Sequence, residues 1–161
     1  MECDAAIGII IKGCEVLMIK RSPDPEDPFL WDIGFPGGRI ENRDTDCLDA
    51  AIREIREETG ITLSRNSRWA ELPCISPLTV RMRVKPFIFA LPGDVRLESG
   101  SEVEEAFWVD LRGLREGYAF IPRRRIITRA FIGAGRVIWG MSYRLLKLLL
   151  NTGALEYFQC P

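Results

Sequence analysis

One stretch constrains the fold of this chain more than any other. Within residues 44–60, Leu48, Ala51, Ile52 and Ile55 recur at i, i+3, i+4 and i+7, a spacing that predicts an amphipathic helix. Asp44 or Thr45 caps its start, and Gly60 stands where a left-handed cap ends it. At about 100° per residue, Glu54, Glu57 and Glu58 share an arc of about 100° directly beside the apolar stripe. Like charges so near a buried face repel one another and are costly without compensation. A divalent cation is the natural compensation. Hard oxygen ligands suit Mg2+ or Mn2+, and a turn at Pro36-Gly37-Gly38, where glycine permits positive φ and close backbone approach, can add the Gly38 carbonyl to the shell. The plainer alternative is a solubilising acidic stripe balanced by Arg53 and Arg56.

The flanking sequence reads as strands and turns. Asp4 to Ile11 and Glu15 to Lys20 form a hairpin about Lys12-Gly13. Ser22 to Pro28 carries three prolines and is a loop. Short strands are predicted at Trp31 to Phe35, at 68–75, at 79–91 and at Ala106 to Val109. In the third of these, Arg81, Arg83 and Lys85 project from one face. The last element is a helix from Val137 to Leu150, on which Trp139 and Tyr143 lie one turn apart. With no repeat, linker or low-complexity tract, residues 1–161 read as a single domain. Its class is α/β or α+β, with helices packed on a mixed sheet.

Composition narrows the chemistry. The chain has 161 residues, 47% hydrophobic, enough for one core without a structural metal or disulfide. There is no histidine, which excludes Ser-His-Asp and Cys-His nucleophile systems and histidine-ligated metals. The five cysteines show no CxxC pair, so they are expected to be small buried apolar residues. Residues 23–59 hold 11 acidic against 4 basic side chains, while residues 112–147 hold nine basic against Glu116 alone. An acidic half for cations and a basic half for phosphates suits a metal-assisted phosphoester enzyme. No apolar run reaches the roughly 20 residues of a membrane span, and no basic-apolar leader opens the chain, so a cytoplasmic location is expected.

Gly38, Asp44 and Arg53-Glu54-Ile55-Arg56-Glu57-Glu58-Thr59-Gly60-Ile61 closely resemble the Nudix box. The second half matches at every specified position. In the first half Asp44 stands for Glu, and eight residues rather than seven separate it from Arg53. The resemblance implies an α/β/α sandwich and hydrolysis of a nucleoside diphosphate linked to another moiety. It implies that Glu57, Glu58 and Glu54 ligate Mg2+ or Mn2+, and that Arg53 braces a glutamate. The expected mechanism is in-line attack on one phosphorus by a water that the metal activates, with Glu54 or a loop carboxylate taking the proton. Glu102 occupies the expected loop position, with Glu104 and Glu105 as competitors.

Outside the box, several segments are similar to the coenzyme A diphosphatase branch. They are Leu17 to Ser22, Phe35-Pro36-Gly37-Gly38, Lys85 to Phe89, Glu102 to Leu111, and Ile138 to Ser142. A further Arg and Gly of that branch's signature after Arg21-Ser22 is missing here. The implied partner is therefore a small-molecule nucleoside diphosphate derivative, coenzyme A or an ADP-ribose, NADH or dinucleotide substrate, with nucleic acid and membrane not expected. Two other readings are a non-catalytic nucleotide-binding module and an enzyme that clears damaged nucleoside triphosphates. Arg123-Arg124-Arg125 is an adenylate clamp, a nucleic-acid patch or, as a short basic run with no aromatic interleaving, a solvated loop. The leucines at 145, 146, 148, 149 and 150 exceed what one helix face can hide, which suggests a homodimer through the last helix.

Overall fold

The computed structural model describes residues 2–22, 32–158 and 160. The Pro-rich segment from Pro23 onward and Trp31 lie outside the described residues. Strand β1 (Ala5–Lys12) turns at Gly13 into β2 (Glu15–Arg21) as an antiparallel hairpin, as its two β-branched apolar runs about Lys12-Gly13 lead one to expect. Two short strands follow, β3 (Ile33–Gly34) on β2 and β4 (Gly37–Arg39) on β1. Helix α1 (Cys47–Thr59) starts at Asp46, whose carboxylate accepts from the Asp49 amide, and ends at Gly60 with φ of 75°. Asp46 is thus the cap, two residues after the earliest sequence candidate. Strand β5 (Arg68–Glu71) is antiparallel to β6 (Val84–Ala90), β6 runs parallel to β1, and β7 (Val103–Asp110) pairs with β2. Together these strands make one mixed sheet of seven.

Alternation along β1 explains the layers. Ala6 and Ile10 face α1 and pack with Leu48, Ala51 and Ile55. Ile7, Ile9 and Ile11 face the opposite way, into a second core with Phe131, Ile138, Leu145, Leu146 and Leu149. That second layer differs from the sequence reading. Residues 115–139 hold a three-stranded antiparallel sheet, β8 (Arg115–Ile121), β9 (Ile126–Gly133) and β10 (Arg136–Trp139), which leads into α2 (Gly140–Asn151) and a final turn, α3 (Ala154–Tyr157). Charged residues interrupt these strands, so their period-2 signal is weak, and long-range packing of Phe131 and Ile138 fixes them. Trp139 ends β10 and does not ride on the helix. The expected strand at 79–91 is shorter, because Arg81 and Arg83 precede the ladder that begins at Val84. On α2, Tyr143, Leu145, Leu146 and Leu149 are buried and only Leu148, 42% exposed, faces outward as a large apolar side chain. The premise of a leucine surplus on that helix is therefore not met.

The cysteines also depart from expectation. Cys3 is disulfide-bonded to Cys47 and Cys14 to Cys160, with Cα atoms 6.3 and 4.7 Å apart, and Cys74 is the free, exposed thiol. The partners are 44 and 146 residues apart in sequence, so only the fold, which sets the start of β1 beside the start of α1, could reveal them. No helix among the described residues is long and apolar enough to cross a membrane.

Candidate active site

The carboxylates of α1 converge where the helix passes β4. Gly37 and Gly38 carry no side chain there, and this is required: a Cβ on Gly38 would lie 2.4 Å from a Glu54 carboxylate oxygen. Gly37, at φ 151°, is a backbone that L side chains rarely adopt, and its amide donates to Glu58 Oε2 at 2.7 Å. Burial, reinforced by the charges of Glu54 and Glu102, lifts the Glu58 carboxyl to about 8, against the opposing pull of the Gly37 amide and of Arg21. Arg21 Nη1 lies 3.9 Å from Glu58 Oε1. Glu54 is likewise raised, by burial first, with the hydrogen bond from Arg53 working against it.

Arg53 is the buried counter-ion of the cluster. It donates to Asp44 Oδ1 and Oδ2 at 2.9 Å each, to Glu54 at 2.7 Å, to Glu57 at 3.1 Å and to the Arg39 carbonyl at 3.1 Å. The bidentate pair gives Asp44 a definite place: it fixes the guanidinium, whose remaining donors orient two of the three helix glutamates. Asp44 also accepts from the Glu41 amide at 2.8 Å, so the insertion before α1 is closed by its own turn. Sequence reasoning assigned Asp44 nothing beyond a cap. Glu57 is more exposed and shares its charge with Arg43 at 2.9 Å.

The loop carboxylates differ in their partners. Glu104 pairs with Lys20 at 3.2 Å and Glu105 with Arg136 at 2.8 Å, so both are engaged along β7. Glu102 sits one turn earlier, in a loop clamped from two sides. The Glu98 and Gly100 amides donate to the Thr59 and Glu58 carbonyls at the end of α1, and the Ser22 amide donates to the Glu102 carbonyl. A Cβ on Gly100 would sit 2.0 Å from the Glu57 carbonyl oxygen, so the loop reaches α1 only because that residue is glycine.

Glu54, Glu102, Gly37, Gly38, Arg21 and Arg39 line one cleft of about 510 Å3. Its remaining wall is largely apolar, formed by Ile33, Phe35, Met82, Val84, Ile126 and Trp139, with Arg124 at the β8–β9 turn. The Trp139 indole donates to Asp32 at 3.2 Å and so joins the two sheets across the cleft. Met82 and Val84 face the cleft, whereas Arg81, Arg83 and Lys85 do not line it. Of the three, only Lys85 lies on β6, so the expected basic strand face does not form. Among the described residues no three carboxylates stand in ready metal-ligating geometry. Their oxygens are taken up by Arg53, Arg43 and the Gly37 amide.

A family profile for the NUDIX domain matches residues 3–130. The chain belongs to the Nudix family. It is similar to the human mitochondrial coenzyme A diphosphatase NUDT8, 29% identical over 96% of this chain and 72% of that protein. It is also similar to an ADP-ribose pyrophosphatase of Methanocaldococcus jannaschii, 35% identical over 68% of this chain and 63% of that one. Among solved structures, a bifunctional NMN adenylyltransferase/ADP ribose pyrophosphatase of Francisella tularensis with AMP and a Mn ion superposes with a TM-score of 0.63. It is 19% identical over 92% of this chain and 41% of that one. A MutT/nudix family protein of Enterococcus faecalis superposes at 0.62, 15% identical, over 93% of this chain and 61% of that one. The chain thus spans less than two thirds of either solved protein, and these two likenesses carry the Nudix fold.

Proposed function

We infer that this Nudix enzyme, a hydrolase of phosphorus-containing anhydrides, cleaves the diphosphate of a small nucleoside diphosphate derivative. One observation carries the reading. Glu54 and Glu102 line the same cleft, much of whose remaining wall is apolar, so a diphosphate and an attached base or chain find different surfaces in one cavity. Residues 1–161 act as a single unit in this reading, and its location is cytoplasmic.

The donor set fits a hard divalent cation. It is all oxygen, it gathers more negative charge than Arg53 and Arg21 offset, and Glu58 keeps a proton that a cation would displace. Glu54, Glu57 and Glu58 would hold Mg2+ or Mn2+, with the Gly38 backbone beside them. When bound, such an ion lowers the pKa of water and neutralises charge gathering on phosphate oxygens. The chain's own groups do the rest. Arg53 holds Glu54 and Glu57 in place, Arg21 and Arg39 meet the phosphates, and Glu102, or failing it Glu54, takes the proton of the attacking water. As the new P–O bond forms in line, the bridging oxygen leaves with its electron pair on the second phosphate.

Coenzyme A, split to 3',5'-ADP and 4'-phosphopantetheine, is the first substrate of this reading. The similarity to the human diphosphatase extends over 96% of the chain, and the apolar wall suits a pantetheine arm. ADP-ribose is the second reading, favoured by the higher identity to the archaeal pyrophosphatase. A panel of coenzyme A, ADP-ribose, NADH, diadenosine polyphosphates and nucleoside triphosphates with Mg2+ and with Mn2+, resolved by mass, tests both. Two monophosphate products from coenzyme A are expected. Turnover of ADP-ribose alone transfers the assignment to the second reading, and no turnover with either ion overturns hydrolysis itself.

A further inference from the structure

The cleft has a second polar corner, at the start of α2. Strand β10 enters α2 through Gly140, whose φ of 65° makes the turn, and Trp139, Gly140, Met141 and Ser142 all line the cavity. The first turn of α2 therefore opens onto the cleft. Trp139 stands at its cap position and makes no side-chain capping bond, and the first turn holds no acid. In α1, by contrast, Asp46 accepts from the Asp49 amide. Among the described residues, no acceptor outside α2 takes the Gly140, Met141 or Ser142 amides. A helix of 12 residues thus presents free amides and the positive end of its dipole to the cavity, a combination that favours an anion.

Ser142 adds a donor to this turn. Its side chain is 8% exposed, lines the cleft and, among the described residues, makes no hydrogen bond. A hydroxyl buried to that degree is ordinarily bonded, so this one is left for a ligand in the cavity. A Cβ added at Gly140 would meet nothing within 4 Å, so the space before the free amides is open. Asp32, an acid on the same wall, is turned to the Trp139 indole at 3.2 Å, and Arg124 brings a positive charge to the cleft. Ser142 stands over β3, where a Cβ on Gly34 would lie 3.4 Å from its Oγ. Gly34 is three residues before Gly37, whose amide holds Glu58, so backbone length keeps the Cα atoms of these two glycines within roughly 11 Å. A ligand with two phosphate groups separated by one ribose reaches both stations.

We propose that the first turn of α2, with the Ser142 hydroxyl, binds a second anionic group of the substrate, a phosphate monoester set apart from the diphosphate. The subsite rests on the diphosphate reading above and deepens it. It selects substrates that carry such a group, as coenzyme A does in the half released as 3',5'-ADP, over ADP-ribose and NADH, which have none.

Calorimetric titration of the full chain with 3',5'-ADP and with AMP tests the subsite without any turnover. The first ligand is expected to bind at least about tenfold more tightly, the effect of hydrogen bonds to a charged group. Ser142→Ala should bring that preference to within about threefold by removing one donor. Ser142→Asp, which offers its own carboxylate to the free amides, should abolish it. A general folding defect would weaken both ligands alike and leave their ratio standing. In steady-state kinetics the same variants should raise KM for coenzyme A far more than for its 3'-dephospho form. Equal affinity of the parent chain for 3',5'-ADP and AMP, or a preference that survives Ser142→Asp, overturns the subsite. A preference that Ser142→Asp erases in a chain that does not turn over coenzyme A supports the subsite and counts against the substrate reading alone.

Discussion

Truncating Asp44 would leave the Arg53 guanidinium buried with two of its five hydrogen bonds gone, and breaking one partner of a buried pair costs about 3 to 5 kcal/mol. Asp44→Ala is accordingly expected to lower stability by about 3 kcal/mol in denaturant titration and to loosen Glu54 and Glu57, which Arg53 orients. The pair also sets an acid limit. Hydrogen bonds from Arg53 hold the Asp44 carboxyl below its ordinary 3.8, so its contribution is complete above that value and disappears as pH falls through the lower folded one. Asp44→Asn should flatten this acid limb in pH-dependent melting. Glu58 behaves oppositely. Burial holds it near 8 against an ordinary 4.5, so the metal-free folded chain binds the extra proton across that interval and loses stability as pH rises through it. Divalent binding should release this proton, and Mg2+ titrations in buffers of different ionisation heat should show affinity rising with pH up to about 8. Glu58→Gln should abolish the proton release and reduce kcat/KM by roughly 100-fold or more.

The loop before β7 places Glu102 on the cleft wall and lies against the last turn of α1. Because a Cβ on Gly100 would stand 2.0 Å from the Glu57 carbonyl, Gly100→Ala must push the loop away. Displacements of about 1 Å near reacting groups cost up to about 100-fold, so kcat on the substrate that the panel identifies should fall by roughly 10- to 100-fold with a smaller change in KM, measured by steady-state kinetics beside a melting curve. Glu104→Gln, on the same strand but paired with Lys20, should leave turnover within about twofold, since surface ion pairs contribute little. The start of α1 has a different tie. Cys3 and Cys47 close a loop with a sequence separation of 44, for which chain-entropy reasoning gives about 4 kcal/mol as an upper figure. Cys47→Ser should therefore lower the melting temperature and should remove most of the further lowering that a reductant causes in the parent chain.

At the scale of the whole molecule, what was legible in the sequence was what neighbouring residues specify. The β1–β2 hairpin follows from β-branched apolar runs about a Lys-Gly turn, and α1 follows from its apolar stripe and its glycine stop. The glutamates of α1 are three or four residues apart or adjacent, so local helix geometry alone set them beside one another. What stayed hidden depended on pieces far apart in the chain. Strands β8 to β10 are secured by Phe131 and Ile138 reaching a core built from β1 and β2, and their arginine-rich sequence carries little pattern of its own. Only the tertiary fold set Glu102 on the cleft wall and tied Glu104 and Glu105 to Lys20 and Arg136, because no local rule fixes strand register. The disulfides and the Asp44–Arg53 clamp arose in the same way, from chain segments that packing brings together. The sequence by itself determined the helix and its acidic edge, since an α-helix repeats over a few residues. The tertiary structure decided which charges those acids meet, because Coulomb and hydrogen-bond partners are set by distance in space and not along the chain.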